Sequence, residues 1–251
     1  MAYQINYQPL APIIRKNPAA PDAQRNAQAA IRNQVAPAPT LHAIAFADFS
    51  GRGGGTVSAT AFAGYQRGFT IGRGPNDPPN VRVRLSLQGQ GSFDGFANAG
   101  SGIAPWIFPP LLPLIAPASF SGTAACDALV IGTGLTVSDS QTEADTTRWR
   151  RNPPVRNKQL SGTSTAVLQT NRAYVLGVDF TVTATASVFD PSGWASNATR
   201  GRAIMTADWF NSASVTLEVL EGLPEIPPNY LVQLQSVEAG DILTGFEHGE
   251  G

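Results

Sequence analysis

The chain has 251 residues and a formal net charge of −1, with 42 % hydrophobic and 14 % charged side chains. A near-neutral chain sets up no global field to draw in nucleic acid or an acidic membrane surface, so neither is an expected partner. With 25 glycines and 20 prolines, it cannot be largely helical.

Hydrophobic content suffices for a real core, and all-β domains often reach this length undivided. Low charge with abundant Ser, Thr, Asn and Gln matches the composition of extracellular β-proteins. No basic start followed by an apolar run is read at residues 1–12, so no secretory signal is expected there. No breaker-free stretch of about 18 apolar residues exists, and a membrane-spanning helix is not expected. The single cysteine, Cys126, sits among small apolar residues. It excludes an internal disulfide and a multi-cysteine zinc site, and it reads as a buried thiol.

Residues 1–40 stand apart as an arm broken by Pro9, Pro12, Pro18, Pro21, Pro37 and Pro39. Residues 22–35 are the one place where a short helix is expected, with Ala27, Ile31 and Val35 on its thin apolar face. Tyr3 and Tyr7 are the side chains by which such an arm would grip its own domain or a neighbouring copy.

A β-domain is expected over residues 41–237. Residues 41–49 are apolar on both faces, as in a central strand. Ser50 to Gly55 reads as a hairpin-type loop, followed by a strand with Val57, Ala59, Ala61, Ala63 and Tyr65 on one face. Val81, Val83, Leu85 and Leu87 then alternate with Arg82, Arg84, Ser86 and Gln88. Residues 103–117 are apolar, yet five prolines deny them a helix. This connection either lies over the domain as a lid or exposes Trp106 and Phe108 as a binding patch.

Residues 128–137 and 160–169 read as further strands. Asp139, Glu143 and Asp145 form an acidic turn, and the basic loop at 148–158 neutralises it. The clearest pattern spans residues 171–220, where Tyr174, Leu176, Val178, Phe180 and Val182 alternate with polar residues. Met205, Ala207, Trp209, Val215 and Leu217 repeat it, so the two arms read as one long antiparallel hairpin. A last strand is expected at 229–236, and 238–251 is a polar tail. The architecture expected is an antiparallel β-sandwich of the jelly-roll type.

Chemistry-bearing patterns are sparse. His42 and His248 are the only histidines, and no nucleophile elbow, phosphate loop or zinc helix is present. Asp179 and Asp208 on a hairpin would stand about 13 Å apart, too far for a glycosidase pair. An enzyme, a cofactor and a metal are therefore not expected. Trp194, at the tip between the two long arms, and Trp149, in the basic loop, are the residues that would stack on a sugar.

One resemblance emerges from the strands. The run from Asn171 to Ala186, then Ala207-Asp-Trp-Phe-Asn-Ser-Ala-Ser-Val-Thr-Leu217, then Pro228-Asn-Tyr-Leu-Val, resembles the β-sandwich region of bacterial exosortase-sorted (PEP-CTERM-type) exported proteins. Ala45-Phe-Ala-Asp-Phe-Ser50 looks like a second copy of its Ala-Asp-Phe element. The Pro-Glu-Pro, apolar and arginine tail of that class does not occur in this sequence. The resemblance implies a bacterial, exported protein. These readings converge on a non-catalytic structural or interaction protein, extracellular or self-assembling through its arm as a homo-oligomer. The alternative is a carbohydrate-binding module that takes a polysaccharide on Trp194 and Trp149.

Overall fold

Buried and exposed side chains alternate along nearly every strand, and that period of two decides what faces inward. The computed structural model describes residues 3–19, 25–34, 39–52, 54–98, 100–102, 114–147, 150–188 and 200–224. They form β1 (Gln4–Ala19), β2 (Arg25–Gln34), β3 (Thr40–Arg52), β4 (Gly55–Gly72), β5 (Asn80–Asn98), β6 (Gly100–Gly102) and β7 (Leu114–Ala116). There follow β8 (Ala118–Val130), β9 (Thr136–Thr147), β10 (Arg150–Arg151), β11 (Arg156–Gln169), β12 (Ala173–Val188) and β13 (Arg200–Leu223).

Two antiparallel sheets pack face to face. The first has the order β1-β4-β12-β8-β9, and the second β10-β5-β13-β3-β2, with β11 also on the edge of β5. The pairing is nested: β3 takes β13, β4 takes β12, β5 takes β11, and β8 takes β9. First-with-last pairing around one central hairpin is the jelly roll expected from the sequence. The hairpin itself turns through residues 131–135, where the Val130 amide donates to the Leu135 carbonyl at 2.9 Å and Gly132 takes a φ of 76°. That left-handed conformation favours glycine.

Nesting overturns the expected 171–220 hairpin. Its arms, β12 and β13, are the central strands of opposite sheets and are not hydrogen-bonded to each other. Each matches the alternation of a hairpin arm, but a better partner lies far away in sequence. The same reason corrects the hairpin loop at Ser50 to Gly55, since β3 and β4 also belong to different sheets. Residues 128–137 hold a turn between two strands, and Asp139, Glu143 and Asp145 lie along β9 rather than in a turn.

The short helix expected at 22–35 is likewise corrected. β2 runs through it as a strand paired with β3, and no helix occurs among the described residues. Ala27, Ala29 and Ile31 point to the core at strand spacing, whereas helical spacing would have used Ala27, Ile31 and Val35. An open sheet edge outcompetes a marginal helix.

The core interlocks large side chains with glycines. Trp209 of β13, fully buried, packs edge-on against Phe180 of β12 across the sheets, with ring centroids 6.3 Å apart. Phe93 of β5 meets it at 5.8 Å. A Cβ on Gly122 of β8 would come within 2.2 Å of the Met205 methyl and 2.8 Å of Phe93, so this backbone position lets the second sheet approach. Cys126 is fully buried, and desolvation, with Asp127 and Asp179 adding to it, pushes its thiol up to about 12.

Candidate interaction edge

The two lateral edges of the sandwich are closed differently. At the β3/β4 edge, β1 and β2 are the outermost strands of the two sheets. β1 follows β4 from Gln4 opposite Gly72 to Ala19 opposite Ser58, with a bulge between Tyr7 and Leu10. β2 follows β3 from Arg25 opposite Phe49 to Gln34 opposite Thr40. Main-chain pairing of this kind depends little on side-chain identity, which explains why a proline-punctuated segment can do it at an edge.

Two tyrosines pin the start of β1. The Tyr3 hydroxyl donates to the Pro78 carbonyl at 3.2 Å, tying the arm to the β4–β5 connection. Tyr7 lies 6.3 Å from Phe69, centroid to centroid, and the Arg67 guanidinium sits 4.1 Å from the Tyr7 ring centre. Arg67 Nε also donates to the Gln8 carbonyl at 3.3 Å. Burial raises the Tyr7 hydroxyl from its ordinary value, and the Arg67 charge opposes that shift. Both arm residues singled out in the sequence therefore lie against their own domain.

The opposite edge, β9 against β11, is joined by charge. Glu143 on β9 faces Lys158 at 3.4 Å and Arg156 at 3.9 Å, both on β11. Asp145 meets Arg151 at 2.8 Å. The Ser161 amide donates to Asp139 Oδ2 at 2.8 Å. The basic segment thus neutralises the acidic one, but as a seam between sheets.

Other candidates are dispersed. Asp179 and Asp208 project from the outer faces of different sheets, so the sandwich separates them. His42 hydrogen-bonds the Phe210 carbonyl through Nδ1 and Thr40 through Nε2 at 3.1 Å. Among the described residues, no three His, Cys, Asp or Glu side chains gather as a metal site would require. No helix of the described residues is long and apolar enough to cross a membrane. Trp106, Phe108, Trp149 and Trp194 lie outside the described residues, as do residues 229–236, where a last strand is expected, and residues 238–251.

The outer face of the first sheet is a rank of hydroxyls. Thr60, Thr183, Thr123 and Thr142 stand opposite one another across four strands. Ser119 and Ser187 pair at 2.6 Å, and Thr123 bonds Thr183, so some of these groups satisfy each other. No protein-family model and no curated protein sequence matches this chain.

Sequence reasoning passed over Arg67. Its signal was present, because Arg67 falls between Tyr65 and Phe69 at the spacing of inward-facing residues on β4. A cation on the core parity of a buried strand needs a partner that alternation alone does not identify.

Proposed function

We propose that this is a non-catalytic structural protein, exported from its cell, whose copies join by passing strand β1 to a neighbour. The observation behind this reading is the arm's mode of attachment: β1 is added along the free edge of β4. A second copy's β4 offers the same carbonyls and amides in the same register, so exchange preserves the hydrogen bonds while linking chains. Tyr3 and Tyr7 would seat on the neighbour's Pro78 and Phe69 as they do here. Export is supported by the low charge, the hydroxyl-rich faces and the resemblance to exosortase-sorted sandwiches.

Asn6 and Thr70 are register partners between β1 and β4, so an Asn6→Cys/Thr70→Cys chain reports where the arm sits. Oxidation is expected to give disulfide-linked dimers and larger species on a non-reducing gel, with light scattering rising with concentration. Only intrachain crosslinks, together with a one-chain mass at every concentration, would overturn the assembly reading.

A further inference from the structure

Between the two sheets, at the end where β1 begins, lies a cleft of about 200 Å³. Leu176 of β12 and Val215 and Leu217 of β13 give it apolar walls, and Tyr7 of β1 stands at its margin. Two polar groups from β4, Tyr65 and Arg67, line it as well, together with Pro39 and Thr216.

Both polar groups are under-used. Tyr65 is only 3 % exposed, and its hydroxyl, sealed from solvent, has no hydrogen-bond partner among the described residues. Burying a hydroxyl without a partner is unfavourable, and native interiors rarely tolerate it without a reason. Arg67 spends its Nε on the Gln8 carbonyl and its face on the Tyr7 ring. Among the described residues no carboxylate pairs with it and nothing accepts from its Nη atoms. Burial first, then Cys126 and Tyr7, push the Tyr65 hydroxyl above its ordinary range, with Arg67 opposing. It therefore stays protonated, a donor, through neutral pH.

We propose that this cleft binds a small organic carboxylate with an apolar body, such as an aromatic or short branched acid. The carboxylate would accept from the Arg67 guanidinium and from the Tyr65 hydroxyl, which is closed to water without a ligand and which the entering acid must uncover, and the body would lie along Leu176, Val215 and Leu217. A guanidinium matches a planar carboxylate in geometry as well as charge. The apolar walls select against a bare inorganic anion, whose remaining oxygens would be desolvated without partners. The volume suits a molecule, or an end group, of about ten non-hydrogen atoms. This site does not depend on whether copies exchange β1, since Tyr65, Arg67 and three walls come from one sandwich.

The test is a titration of the full-length protein with benzoate, followed by calorimetry and by NMR, with benzamide as the uncharged control. Saturable benzoate binding is expected, with benzamide weaker by about tenfold. Tyr65→Phe deletes only the unpartnered hydroxyl, so it is expected to fold at least as well as the parent and to bind benzoate several-fold more weakly. Arg67→Gln is expected to lose binding by about tenfold or more. No saturable binding of benzoate up to about 10 mM would overturn the proposal. So would equal affinity for benzamide, or a folded Tyr65→Phe protein that binds benzoate as the parent does.

Discussion

The β3/β4 edge and the β9/β11 edge solve one problem by different means. Each must bring two sheets together without leaving strand edges bare. At β9/β11 the solution is ionic, with Glu143 held between Lys158 and Arg156 and Asp145 on Arg151. At β3/β4 the solution is more chain: β1 and β2 supply main-chain partners, and Tyr3 and Tyr7 fasten them. Charge pairing needs specific side chains on both strands and weakens with salt. Strand addition needs only an open ladder, so it is the edge that the proposed exchange between copies would use.

Four experiments break or sharpen that contrast. The largest effect is expected where both edges depend on the same interlock. Trp209→Ala leaves a cavity beside Phe180 and Phe93 and should cost about 3–5 kcal/mol in urea unfolding, loosening both edges together. Loss of one edge alone would show that the sheets are held from the sides.

Alkaline pH acts next, again from the interior. Cys126 has its thiol raised from 9.0 to about 12 in the folded chain. Its contribution is fully present below about pH 9, where neither state ionises, and falls as pH rises toward 12, because the unfolded chain then loses a proton that the folded chain keeps. By about pH 10.5 the loss should be about 2 kcal/mol. Comparing urea midpoints of the parent and Cys126→Ala across that range isolates it from other groups. Equal alkaline slopes in the two proteins contradict the assignment.

Glu143→Lys should act on the ionic edge alone, placing a third cation beside Lys158 and Arg156. A loss of about 1–2 kcal/mol is expected at low salt, partly recovered on adding salt, whereas salt weakens the parent's pairing. A salt response of the same sign in both chains would dissociate these charges from the seam. The smallest change is expected from Tyr3→Phe, which removes only the bond to the Pro78 carbonyl. Its signature is local: amides at the start of β1 should exchange faster while those of β9 are unchanged, with little response to salt.

Much of the fold can be read from residue order because alternation is a local property. Val81, Val83, Leu85 and Leu87 declare an inward face wherever β5 sits, and all four are buried. Trp209, assigned to the apolar side of its strand, is the centre of the core. The all-β sandwich follows from such patterns together with the glycines and prolines that forbid long helices.

Pairing does not follow in the same way. Tyr174 to Val188 and Met205 to Leu217 carry the alternation of hairpin arms, yet they face each other across the core as β12 and β13. A strand's pattern states which side is buried and is silent on which neighbour binds its edge. The 22–35 segment shows the same limit, since Ala27 and Ile31 suit a weak helix in isolation and a strand once β3 presents an open ladder. The meeting of Glu143 with Lys158, and of Tyr65 with Arg67 at one cleft, likewise belongs to the three-dimensional chain. Composition and periodicity determined by themselves that this protein is a β-sandwich with a proline-marked arm. Only the tertiary structure decided that the arm closes two sheet edges and that Tyr65 and Arg67 line one cleft beside it, because edges and clefts are made by residues distant in sequence.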